Sequence, residues 1–168
     1  MFKKIFLALA IICPMLASAQ TLKIGIVDSN AIIGAMPETT AAQTQLTELK
    51  NKCEATYNKL GEELQRTYAE FQKMSDSELP AIRDQKAREI QDQQQKLQVF
   101  EQQSMADLQK KQEELMQPII AKMKSAIESV ARENGFSLVQ DNVSQITFYF
   151  ADPVVDITPM VKTKLGLK

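Results

Sequence analysis

Residues 39–134 constrain this chain more than any other feature, because they pass without one strand-like run. Their only glycine is Gly61 and their only prolines are Pro80 and Pro118. Leu, Met, Glu, Gln, Lys and Ala dominate, residues that lose little entropy in a helix. The apolar ones recur about every 3.5 residues, the period of paired helices. Helices of this length cannot be buried inside a small monomeric globule. They must pack on each other, on sister chains or around something else. Such a chain points to a scaffold or a holder of other proteins before it points to an enzyme.

The first residues set the compartment. Met1-Phe2-Lys3-Lys4 is a short basic start, residues 5–16 form an apolar run, and Ala17-Ser18-Ala19 has the small-x-small pattern. Together they predict a signal peptide over 1–19, cleaved after Ala19. The run is too short and wrongly flanked for a membrane span, and Ile12 is too bulky to make Cys13 a lipoprotein site. Losing Lys3 and Lys4 from 20 basic residues leaves 18 against 21 acidic ones. That balance supplies no positive field for nucleic acid. No later stretch is long and apolar enough for stable membrane insertion, so an exported, soluble chain of about one domain is expected. Cys53 then has no partner for an intramolecular disulfide. Its place in the apolar spacing of a helix suits a small buried hydrophobe.

Residues 22–27 alternate apolar side chains and read as a strand. Asp28-Ser29 can cap a short helix running to Met36, and Pro37-Glu38 suit the first turn of the next. That helix carries a stripe of Leu46, Leu49, Cys53, Tyr57, Leu60, Leu64, Tyr68, Phe71 and Met74. The break at 75–80 joins it to a second helix through Asn134, and so short a joint predicts an antiparallel hairpin. The second stripe is thin over 91–103 and thickens from Met105 onward. Pro118 should bend the helix, and Gly135 should stop it. Residues 136–140 and 146–150 read as two strands joined by a turn at 141–145, and a last short helix begins at Asp156. The fold class is therefore α+β, mainly α: a long antiparallel helical hairpin over 39–134 on a small β-containing body made of 20–38 and 135–168.

The usual chemistry of enzymes is missing from the sequence. The chain has no histidine, which removes the commonest general base and metal ligand. Its five glycines, at 25, 34, 61, 135 and 166, form no phosphate-cradling loop. With Cys13 removed in the expected leader, one cysteine and no histidine cannot build a usual zinc site. Carboxylate neighbours such as Glu62-Glu63 and Glu113-Glu114 diverge by about 100° on a helix and share no pocket. No catalytic, cofactor-binding or metal-binding residue is nominated.

These segments together resemble the OmpH/Skp family of periplasmic chaperones over essentially the whole mature length. The opening Lys23-Ile24-Gly25-Ile26-Val27-Asp28 looks like the family's first strand. More specific is the closing order: Ala126-Ile127, Val130-Ala131, Gly135-Phe136-Ser137-Leu138-Val139-Gln140-Asp141, residues 146–150, then Asp156-Ile157-Thr158. The resemblance implies a periplasmic homotrimer whose bodies join their strands and whose hairpins surround a cavity. Ile24, Ile26, Phe136, Leu138, Ile146, Phe148 and Phe150 would supply the trimer body. It also implies an ATP-independent holdase that keeps unfolded outer-membrane β-barrel proteins soluble, with no cofactor.

Within that frame Leu97, Val99 and Phe100 are candidate client contacts, because the local stripe looks too thin to employ them. Met105, Met116 and Met123 are further candidates, as unbranched thioethers adapt to varied partners, although a seam between helices is the commoner place for each. The family's best-known type is strongly basic. Here Arg83, Lys86, Arg88, Lys96, Lys110 and Lys111 are interleaved with Asp84, Glu89, Asp92 and Asp107, which reads as a mixed solvated face and leaves lipopolysaccharide binding unsupported. The alternative is an envelope adaptor, a structural coiled coil that binds one folded partner.

Overall fold

The computed structural model describes residues 22–75, 79–142, 149 and 151–167. In chain order the elements are β1 (Ile24–Val27), α1 (Ser29–Ala35), α2 (Pro37–Lys73), α3 (Pro80–Glu133), β2 (Leu138–Asp141), β3 (Val154–Asp156) and α4 (Thr158–Lys164). They divide into two compact units, one made of the chain up to Ile32 and from Ser125 onward, the other of 33–124.

The first unit is organised by β1. Among the described residues its β-branched side chains occupy the middle of a three-stranded sheet of order β2-β1-β3. Both pairings are parallel, Ile24 opposite Leu138 on one side and Val154 on the other. A parallel central strand is covered on both faces, and Gly25, Ile26 and Val27 are all buried. Gly25 is a close-approach position: a Cβ there would come within 3.3 Å of both Ile157 and Val139. Among the described residues of this unit Ile26, Val27, Ile32, Ala126, Val130, Ile157 and Val161 are buried apolar side chains.

Polar side chains tie the carboxyl ends of the three strands. Asp28 caps α1 by accepting from Ala31 N–H at 2.8 Å. Ser29 Oγ donates to Asp141 Oδ2 at 2.6 Å, joining β1 to the end of β2. Asp28 N–H donates to Thr158 Oγ1 at 2.9 Å, joining β1 to the start of α4. At its other end α3 stops on Gly135, whose φ of 68° is open chiefly to glycine. Lys23 Nζ then donates to Asn134 O at 3.0 Å and lies 4.3 Å over the Phe136 ring, a cation placed at the negative end of the helix.

The second unit is the antiparallel hairpin of α2 and α3. Its register is marked by Glu38 with Lys122, Glu70 with Lys86 at 2.9 Å, and Arg83 5.7 Å over the Phe71 ring. The helices contain 37 and 54 residues, which is about 55 and 80 Å of rise. The seam follows the expected three-and-four spacing, with one correction on α2. Thr67, not Tyr68, is buried, while Tyr57 and Tyr68 are 38% and 49% exposed. On a helix Thr67 lies about 60° to one side of Leu64 and Tyr68 about 40° to the other, and Phe71, about 20° round on Thr67's side, draws the seam that way.

Two further points differ from the expectation. Leu22 is 58% exposed and the strand begins at Ile24. The short strand β3 was not anticipated. Pro118 lies exposed inside α3. The expected strand over 146–150 lies mostly outside the described residues, as do the leader, its cleavage site and the centre of the joint at 76–78.

Candidate functional site

An apolar surface open to a partner lies in the middle of the hairpin unit. The α2–α3 seam there is built from medium side chains separated by long polar ones. Helices paired along a narrow stripe leave shallow grooves on either flank of it. One groove, of about 320 Å³, is lined by Cys53, Tyr57, Phe100, Met105 and Leu108, with Lys50, Glu54 and Glu101 at its rim. A second, of about 690 Å³, is lined by Leu60, Val99 and Phe100 among Thr56, Asp92, Gln95, Lys96 and Gln103. Val99 and Glu101 diverge by about 200° around the helix, so the grooves lie on opposite flanks of the seam. Phe100 lines both.

The six nominated contact residues separate by exposure. Val99 is 56% and Met105 63% exposed. Leu97, Phe100 and Met116 are half-buried, and Met123 is buried at 6%. Geometry thus groups Val99, Phe100 and Met105 at the two grooves and sets Met123 away from solvent. Of the residues nominated for the body, Ile26 is buried, Ile24 and Phe136 are half-buried, and Leu138 is 52% exposed. Ile146, Phe148 and Phe150 lie outside the described residues. Sequence reasoning did not nominate Tyr57, Leu60 or Leu108 as groove residues. The signal was present: each lies one or two helical turns from Cys53 or Met105 on a flank of the stripe.

Charge around the grooves is mixed, and the hairpin's ion pairs are solvent-facing. The Lys122 ammonium donates to Glu38 and holds its carboxyl below the usual carboxylate range. Lys86 does the same for Glu70, and Glu70, followed by Glu89, raises Lys86 in return. In the other unit Lys164, followed by Ser129, lowers Glu133. Asp28 and Asp141, at the carboxyl ends of β1 and β2, are engaged in the hydrogen bonds already described, and Asp156 at the end of β3 accepts from Thr158 N–H at 2.8 Å. Among the described residues no group of three Cys, Asp or Glu side chains could hold a metal ion. No described helix is long and apolar enough to cross a membrane. The arrangement offers binding surface: apolar, shallow, repeated on two flanks and framed by both signs of charge.

Comparison with known proteins adds the following. The model of the family described as Outer membrane protein (OmpH-like) matches residues 23–165. Among solved structures the chain is similar to a candidate outer membrane chaperone (OmpH-like) from Caulobacter crescentus, at 16% identity and a TM-score of 0.73. That likeness covers 85% of this chain and 83% of the other, and at this identity it speaks for the fold alone. No curated protein matches.

Proposed function

The chain belongs to the OmpH-like family of outer membrane proteins, and from that premise we propose that it is an ATP-independent holdase of the periplasm. It keeps unfolded outer-membrane β-barrel proteins soluble in a cavity between the helical arms of a homotrimer. The observation that carries this reading is the pair of apolar grooves meeting at Phe100, with Val99 and Met105 standing more than half exposed beside them. An unfolded barrel chain alternates apolar and polar side chains and aggregates through the apolar ones. Shallow grooves on both flanks of a hairpin bind such side chains weakly and singly. Several arms acting together hold them by effective concentration, and no single contact is tight enough to prevent release. Unbranched Met105 and the flat rings of Phe100 and Tyr57 fit segments of differing sequence. No step of this mechanism requires a nucleotide, a metal or a covalent intermediate.

The test is dilution of a urea-denatured β-barrel protein into buffer with and without the purified chain, in the absence of nucleotide, followed by light scattering. The client should stay soluble at about three chains per client. Scattering that rises as fast as in buffer alone would overturn the proposal. Tight saturable binding to a folded envelope protein, with indifference to unfolded ones, would favour the adaptor instead.

A further inference from the structure

Full burial within the hairpin occurs at two separated places. Ala42, Ile119 and Met123 are buried toward one end, and Thr67 and Ile90 toward the other. Each place also carries an interhelical ion pair, Glu38 with Lys122 and Glu70 with Lys86. Between them, over 43–66 of α2 and 91–118 of α3, no described side chain is buried, and the seam residues are left half-exposed.

Two independent features fall in the same interval. Gly61 is the single glycine of α2, yet a Cβ there would meet nothing within 4 Å, and its φ is not left-handed. Neither space nor backbone requires glycine at that position, so its effect is to weaken the helix. Gln93 Oε1 is shut off from solvent without a hydrogen-bond partner, a cost that local opening would relieve by hydration. The register set by the ion pairs brings Gln93 to within about one turn of Gly61.

We propose that the hairpin contains a soft joint: α2 and α3 part reversibly between the two buried places, centred on Gly61 and Gln93, and uncover the seam faces of Leu60, Leu64, Leu97 and Phe100. Opening costs little burial, because these side chains are already partly wet. Both ends of the interval are held, so the helices separate without slipping in register. The joint is a property of the hairpin alone and stands apart from the function proposed above.

Hydrogen–deuterium exchange of the full chain, read by peptide mass spectrometry, tests it. Amides of 46–64 and 93–115 should exchange about ten-fold faster than those around Ala42 and Ile119. Protection should recover around Thr67 and Ile90. Gly61→Ala should slow exchange of the middle by about two- to five-fold, and Gln93→Leu should slow it as well. Protection that declines steadily from Ala42 to Phe71, without recovery at Thr67, is ordinary end fraying and overturns the joint. So does a middle as protected as its flanks, or exchange there that neither variant changes.

Discussion

At the scale of single residues, the proposed holding activity depends on side chains that add little to stability. Val99 and Met105 are 56% and 63% exposed. Replacing both with serine should leave helix content and melting unchanged within about 0.5 kcal/mol, while client aggregation in the light-scattering assay becomes distinctly faster. Phe100 differs because it is half-buried and lines both grooves. Phe100→Ala should cost about 2 kcal/mol, below the range for a fully buried ring, and weaken client holding together with stability. Gly25→Ala is a control in the other unit. Its Cβ would press on Ile157 and Val139 at 3.3 Å, so urea unfolding should show a loss of about 1–3 kcal/mol.

At the scale of elements, the hairpin was legible because its seam obeys a local period: Leu46, Leu49, Cys53, Leu60, Leu64 and Phe71 can be placed from spacing alone. The same rule misplaced Tyr68, because a tyrosine outweighs a threonine in any hydrophobicity reading, whereas burial on a helix follows angle. Strand β3 was not legible because Val154-Val155-Asp156 has too little local pattern to announce a strand. It exists because β1 lies beside it, a contact more than a hundred residues away in sequence. The grooves were half-legible. Val99 and Phe100 stood out against a polar background and Met105 as an unbranched thioether, but their α2 counterparts were read as seam. The ion pairs act on these elements with a defined pH dependence. Glu38, Glu70 and Glu133 are lowered from 4.5, so their contribution is complete above that value and lost as pH falls through the depressed one. Lys86 is raised from 10.5, so its contribution is complete below 10.5 and lost as pH rises through the higher value. Stability should therefore be level between about pH 5 and pH 10 and fall outside those limits. The fall should be modest and smaller in high salt, as these groups are exposed. Thermal melts across pH at two salt concentrations check this.

At the scale of the whole molecule, the sequence carries nearly balanced charge, with 20 basic and 21 acidic residues. On the proposed function, clients are selected by exposed apolar segments more than by a field. Raising salt from low to moderate concentration should then change client protection by less than about two-fold. A strong salt dependence would instead place recognition in the lysines and arginines. Among the described residues the small sheet has three short strands, about the minimum that holds together with help from packed helices, and Leu138 on β2 is half exposed. On the proposed function, assembly of three chains would bring several arms to bear on one client. The most direct measurement of the central claim is native mass spectrometry of the chain mixed with a urea-diluted β-barrel protein. Three chains carrying one client, without nucleotide, is the predicted species. Single chains that carry no client would contradict the account.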